Sequence, residues 1–203
     1  MLQFSFANSK VNSSLFVYSH NNTIYYSLIY MDDLVIIGNI SQFMCSIIDQ
    51  LGWKFSLKDI GTLYYFLGVE VLPTQDDIFL SQHKYIHDLL HNTKMIGAKE
   101  ICTPLSRSLL LKLHDGTASF DGIEYKMVLG SLKYLSLTRL DMSFVMNKLS
   151  QFMHKPTQTH WITTKRMLYH LKQTIFHGLK LTRRIYPNLT IFFYVDWVSN
   201  LDD

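Results

Sequence analysis

The chain has 203 residues, 48% of them hydrophobic and 17% charged, with a formal net charge of +3. That apolar content excludes disorder over most of the length. Two scattered cysteines, Cys45 and Cys102, exclude a disulfide framework and point to a reducing, intracellular setting, cytoplasmic by default. The first ten residues, MLQFSFANSK, do not read as a secretory leader, and the apolar runs fall short of the roughly 20 residues of a membrane helix.

Charge is unevenly spread. Residues 1–100 hold 6 Lys/Arg against 9 Asp/Glu, whereas residues 101–203 hold 13 against 7. No acidic residue lies between Asp141 and Asp196, an interval that carries Lys148, Lys155, Lys165, Arg166, Lys172, Lys180, Arg183 and Arg184. A surface of this sign suits phosphates, because each neutralised phosphate releases counterions. A solvated basic helix face is the plainer alternative.

In chain order, 23–29 is rich in Tyr and Ile and 34–37 is apolar, so the two predict a tight β-hairpin with Tyr30-Met31-Asp32-Asp33 at its tip. Ser41 is placed to cap a helix reaching Gly52, with Phe43, Ile47, Ile48 and Leu51 on one face. Segments 64–72 and 78–81 predict a second hairpin, and a short helix is expected over 82–94. Residues 97–122, with Gly97, Pro104, Gly116 and Gly122, read as a loop or linker. Helices are then expected over 124–137, over 141–153 with Asp141 as cap, and over 157–174 with Thr157 as cap after the break at Pro156. Strands are expected at 178–182 and 189–194. The fold class expected is α+β.

The chemistry sits at Asp32 and Asp33. Adjacent carboxylates repel, and a hard divalent cation such as Mg²⁺ relieves the repulsion. A two-metal phosphoryl-transfer site would use such ligands, but it needs carboxylates from at least two strands, since one tip cannot surround both ions. Asp76-Asp77 and Asp202-Asp203 read as ordinary turns. The Asp32 pair differs in having apolar strands on both sides, from which burial in a site is expected. His83, His87 and His91 recur at four-residue spacing without a Glu or Cys to complete a zinc set, so a polar stripe is the better reading. Trp53, Trp161 and Trp197 read as core or interface anchors. The Tyr64-Tyr65-Phe66 cluster suits either strand burial or base stacking.

LIYMDDLVIIGN at 28–39 resembles the YxDD hairpin of reverse transcriptases, and the rest of the chain resembles the Ty1/copia class of retrotransposon polymerases. The matching segments follow in order: FSLKDIGTLYYFLGVEV, IFLSQHKYIHDLL, Thr103-Pro104-Leu105, YKMVLGSLKYLSLTRLDMSF, SQFMHKPTQTHW, MLYHLKQTIFHGL and YVDW at 194–197. The likeness runs from about residue 16 to residue 203 and extends to truncated copia-derived reading frames of plant organellar genomes. It implies a fragment of an RNA-directed DNA polymerase with Mg²⁺ as cofactor, and primer–template RNA/DNA and nucleotides as partners. It implies Asp32 and Asp33 as catalytic metal ligands, with Tyr30 and Met31 near the nucleotide and primer end. Phe66, Leu67 and Gly68 fall where a primer grip is expected. The implied organisation is a partial palm over 1–96, a linker over 97–122, a helical thumb or connection over 123–176, and the start of a ribonuclease H-like domain over 177–203.

Departures are equally specific. No acidic residue precedes Asp32, so the family's further metal-binding Asp and its fingers are expected to be missing and the chain to be inactive alone. Tyr194-Val195-Asp196-Trp197 is shorter than the family's Tyr-Ser-Asp-Ala-Asp-Trp box, and Leu140 stands where the family's Thr-Arg-Pro-Asp string has Pro. The alternative expectation is a non-catalytic nucleic-acid-binding or decayed structural remnant.

Overall fold

The computed structural model describes residues 6–97, 99–106 and 110–183. It is mixed α and β with antiparallel sheets, and the chain divides into two compact units, one ending at Leu63 and the other starting at Tyr64.

The first unit is a four-stranded antiparallel sheet in the order β1-β2-β3-β4, with β1 Ala7–Asn8, β2 Leu15–His20, β3 Thr23–Tyr30 and β4 Asp33–Gly38. Alternation decides its faces, since side chains along a strand point to opposite sides. In β3, Tyr25 and Ser27 are buried while Ile24, Tyr26 and Tyr30 are exposed. The inner face meets α1, Ser41–Phe55, through Phe43, Met44, Ile47 and Leu51 in a core that also holds Phe6, Phe16, Tyr18, Tyr25, Leu34 and Ile36. The helix begins one residue from expectation: Ile40 is its N-cap, and Ser41 lies inside it without a side-chain cap bond. It also runs past Gly52 to end at Ser56, which is left-handed (φ 53°). One glycine costs a helix only about 1 kcal/mol, too little to stop it.

Gly38 is fixed by its cross-strand partner. Tyr25 and Gly38 are paired, and the tyrosine ring lies over the glycine, so that a Cβ there would collide with Tyr25 Cδ1 and Cε1. The Tyr25 hydroxyl donates to the carbonyl of Ile40 at the entry to α1. One aromatic ring therefore joins sheet and helix.

The second unit has its own sheet, β5-β6-β7-β8, made of β5 Tyr65–Phe66, β6 Val69–Pro73, β7 Asp77–Ser81 and β8 Leu179–Thr182. The strand expected over 64–72 is two strands. Leu67 (φ 48°) and Gly68 (φ 74°) form a two-residue turn between them, the paired positive φ values of a type I′ hairpin. The strand expected at 178–182 is β8, paired with β7. The expected strand at 189–194 lies outside the described residues.

Helices α2 His83–Asn92, α3 Gly122–Tyr134, α4 Ser143–Ser150 and α5 Gln158–Gln173 share one core that includes Ile86, Leu90, Tyr125, Leu129, Leu132 and Leu168. Residues 99–106 and 110–121 hold no helix or strand, yet Leu111 is buried against that core, and Leu105, Leu113 and Phe120 pack beside it. Trp161 is buried and stacks on Phe120 with ring centroids 4.5 Å apart, whereas Trp53 is exposed.

The expected cap at Asp141 is not formed. A 3₁₀ turn over Leu140–Met142 leads into α4, which has no side-chain cap, and Asp141 instead accepts from Arg139 through Nε (3.0 Å) and Nη2 (2.8 Å). Arg139 is 1% exposed, and its other donors reach the Thr174 carbonyl at 3.0 Å and hydroxyl at 2.7 Å. A buried guanidinium takes an available carboxylate before a helix end can use it. Burial alone would raise the Asp141 pKa, but the hydrogen bonds and charge of Arg139 outweigh it and hold the carboxyl below its ordinary value.

Thr157 caps α5 as expected, with His160 completing a capping box. The Thr157 amide donates to His160 Nδ1 at 3.0 Å, and the Thr157 hydroxyl bonds Asp115 at 2.8 Å. Phe152 stacks on the imidazole at 4.1 Å.

Two outcomes are expected. Gly38→Ala should destabilise the protein by about 1–3 kcal/mol through the clash with Tyr25, measured by urea unfolding. Stability should also fall as the solution is acidified. Burial lowers the His160 pKa, so below about pH 6.5 the unfolded chain takes up the proton first. At lower pH Asp115 adds a loss of the same sign. Burial alone would raise its pKa, but hydrogen bonds from Thr117, Thr159 and Thr157 outweigh that and hold it below the ordinary carboxylate value. A midpoint that is level between pH 7.5 and 5 in wild type, or that falls as steeply in His160→Gln, contradicts the His160 assignment.

Candidate functional site

In the first unit, β3 and β4 are joined by a two-residue turn, because Tyr30 pairs with Asp33 across the ladder. Met31 and Asp32 form the tip. Met31 has φ 50° and is 84% exposed. A left-handed conformation costs a non-glycine residue roughly 1–2 kcal/mol, so the tip carries strain that packing of Met31 does not offset. Tyr30 beside it is 47% exposed.

Asp32 and Asp33 are both exposed, which corrects the expectation of a buried pair. The apolar strands that flank them turn their inner face to α1, while the tip itself projects beyond that core. Among the described residues neither carboxylate has a hydrogen-bond or ion-pair partner, and no group of three or more His, Cys, Asp or Glu side chains converges to hold a metal. The donor set still suits a hard ion. Mg²⁺ commonly takes one or two carboxylates and completes its shell with water and substrate phosphate oxygens. Two carboxylates at one tip are as many protein ligands as such a shell needs, all of them on one side. β4 is also the last strand of its sheet, so the edge that begins at Asp33 has no partner strand among the described residues.

In the second unit, Phe66, Leu67 and Gly68 make the β5–β6 turn, and the Tyr134 hydroxyl of α3 donates to the Leu67 carbonyl. The basic residues expected to face phosphates are dispersed. Lys148 lies half-buried on α4, Lys155 is exposed in the turn before α5, and Lys165, Arg166 and Lys172 lie on α5. Lys165, Tyr169 and Lys172 fall at i, i+4 and i+7, one face of that helix, next to Ile162, which is 60% exposed.

Several cations have identifiable partners. Arg166 donates to the Thr103 carbonyl (3.1 Å) and hydroxyl (2.7 Å), and Lys180 pairs with Asp77 at 2.7 Å. Arg183 is exposed at the end of the described residues; Arg184 and 194–197 lie outside them. His87 and His91 are exposed, and His83 stacks on Phe176. Arg139 and Tyr134 were not singled out in the sequence. Arginine beside aspartate in Thr138-Arg139-Leu140-Asp141 was a signal for the first; nothing local marks the second, whose partner is 67 positions away.

Comparison with known proteins decides the lineage. The family described as reverse transcriptase (RNA-dependent DNA polymerase) matches residues 1–107, and the retrovirus-related Pol polyprotein from transposon RE1 of Arabidopsis thaliana is 41% identical over the whole chain. The chain belongs to the Ty1/copia-type reverse transcriptase family.

The polyprotein of transposon RE2 from the same plant is 40% identical, again over the whole chain, and the chain spans 14% of the length of each of these two relatives. An uncharacterized mitochondrial protein of Arabidopsis thaliana is 38% identical over 86% of the chain and 72% of its own length. No solved structure matches. This is thus a reverse-transcriptase-like chain of the kind found in retrotransposon Pol polyproteins, and no helix among its described residues is long and apolar enough to cross a membrane.

Because the tip carboxylates are exposed and adjacent, Asp33→Asn should leave stability within about 0.5 kcal/mol of wild type, or slightly raise it by removing like-charge repulsion. Urea midpoints compared at low and moderate salt check this. A loss above about 2 kcal/mol, the range of a buried partner left unsatisfied, would reveal a structural role for Asp33.

Proposed function

We propose that this chain is the part of a retrotransposon RNA-directed DNA polymerase that presents the Asp32–Asp33 edge of the catalytic centre to primer and nucleotide. The observation that carries the reading is the tip itself: two exposed carboxylates on a strained two-residue turn, in a chain of this family. Strain of this kind is characteristic of residues held for a task rather than for stability.

In this reading Asp32 and Asp33 would hold Mg²⁺, which when bound would supply Lewis-acid charge stabilisation for nucleotidyl transfer. Tyr30 and Met31 border the nucleotide and primer end. The open edge of β4 is where a further strand would add beside Asp33, and a third carboxylate would come from such a strand. Phe66, Leu67 and Gly68 clamp the primer strand through backbone groups. Lys148, Lys155, Lys165, Lys172 and Arg183 contact phosphates.

The wider assignment follows the same ancestry. Residues 1–96 are a partial palm, 123–176 a thumb or connection joined through 97–122, and 177–203 the start of a ribonuclease H-like domain whose first strand has β7 as neighbour. A second reading, a non-catalytic nucleic-acid-binding remnant, is favoured by the lack of any three-ligand cluster among the described residues.

Primer extension and binding on the same DNA-primed RNA template separate the two. The expected result is salt-dependent binding with no extension in Mg²⁺ or Mn²⁺ by this chain alone. Adding the upstream part of a related polyprotein should restore extension, and Asp32→Asn should abolish it. Replacing Lys148, Lys155 and Lys165 by Gln should flatten the dependence of log K on log salt by roughly one for each phosphate that is no longer neutralised. No extension after complementation leaves the remnant reading standing; an unchanged slope removes those lysines from the interface.

A further inference from the structure

The β5–β6 turn is held in place by a helix that is remote in sequence. Leu67, a bulky residue, sits at φ 48°, and Gly68 at φ 74°. The leucine conformation costs roughly 1–2 kcal/mol and persists only where surroundings over-determine it. Those surroundings are two tyrosines. The Tyr134 hydroxyl donates to the Leu67 carbonyl, and its ring lies against Gly68, with Cε1 3.2 Å from where a Cβ would be. The Tyr85 ring packs on Tyr134 at a centroid distance of 5.2 Å, and the Tyr85 hydroxyl donates to the Ser131 carbonyl of α3 at 3.1 Å.

We infer that Tyr134 is a positioning residue for primer binding: it fixes the turn 66–68 on α3 so that the turn's backbone meets the primer strand in one defined orientation. Its hydroxyl takes the Leu67 carbonyl, while Phe66 and Val69 pair across the ladder on either side of the turn. Gly68 is required twice over, for its positive φ and for the space taken by the Tyr134 ring. Tyr85 keeps that ring from rotating away. The inference rests on the polymerase reading, in which the turn touches primer.

Tyr134→Phe retains the ring and removes only the hydroxyl. In the 203-residue chain, amide exchange at Val69, which pairs with Phe66 across the turn, should accelerate in this variant while the global unfolding midpoint stays close to wild type. Affinity for a DNA-primed RNA template with a recessed primer end, read by fluorescence anisotropy, should weaken roughly fivefold, the effect of removing one hydrogen bond. The salt slope should not change, because every cation is retained. Tyr85→Phe, which keeps the ring that supports Tyr134, should bind more nearly as wild type.

The outcomes are separable. Unchanged exchange at Val69 overturns the tether. Faster exchange with unchanged affinity overturns the role in primer binding. If wild type itself does not bind the primer–template, the polymerase reading fails, while the exchange data still judge the tether.

Discussion

A single guanidinium organises the second unit. Arg139 is almost completely buried, and a charge in that position is tolerable only if its donors are met. Asp141 accepts two of them, and Thr174, at the end of α5, accepts two more. The corner between α3 and α4 is thereby locked to the far end of α5. Next to it, Thr138 donates to Gln82 at 2.6 Å, which draws the start of α2 to the same corner. Asp141 is about half exposed, so what its removal would strand is the buried guanidinium alone. Four helices meet at one polar knot, and the apolar core fills the space between them.

The first unit is built on a different principle. Its sheet and helix share an apolar core in which the Tyr25 ring requires a glycine opposite, and several large side chains of its outer face are exposed. Ile24, Tyr26 and Ile37 are all exposed on that side. The Asp32–Asp33 tip is therefore mounted on a one-sided support. Such a support leaves both carboxylates of the tip exposed to solvent. It does not by itself gather the ligands that a closed site would have.

Much of this was legible in the sequence, for reasons that can be named. Apolar spacing at Phe43, Ile47 and Leu51 located α1, and the apolar runs on either side of Met31-Asp32 located the β3–β4 hairpin. Thr157 after Pro156 marked the start of α5. What escaped was decided by partners distant in the chain or by burial. Asp141 was a reasonable cap until a buried arginine two residues away claimed it. The break at Leu67 and Gly68 depends on a tyrosine from α3, and a run of β-forming residues conceals it. The exposure of Asp32 and Asp33 could not be read from flanking hydrophobicity, because alternation tells which face of a strand is buried but not where the core ends.

The pairing of β8 with β7 bears on how the chain reaches this state. Residues 82–178, with all of α2 to α5, intervene between the two strands. Closing so long a loop is entropically costly, and non-local strand pairs form late for that reason. Until the helices have condensed and brought residue 179 back, the outer edge of β7 stays open with its amide and carbonyl groups unpaired. During synthesis that interval lasts at least as long as it takes to make the intervening residues, about 5–20 s at ordinary elongation rates. The fourth strand is then a seal on an assembled helical core, and a nascent chain that stalls before it carries a sticky edge.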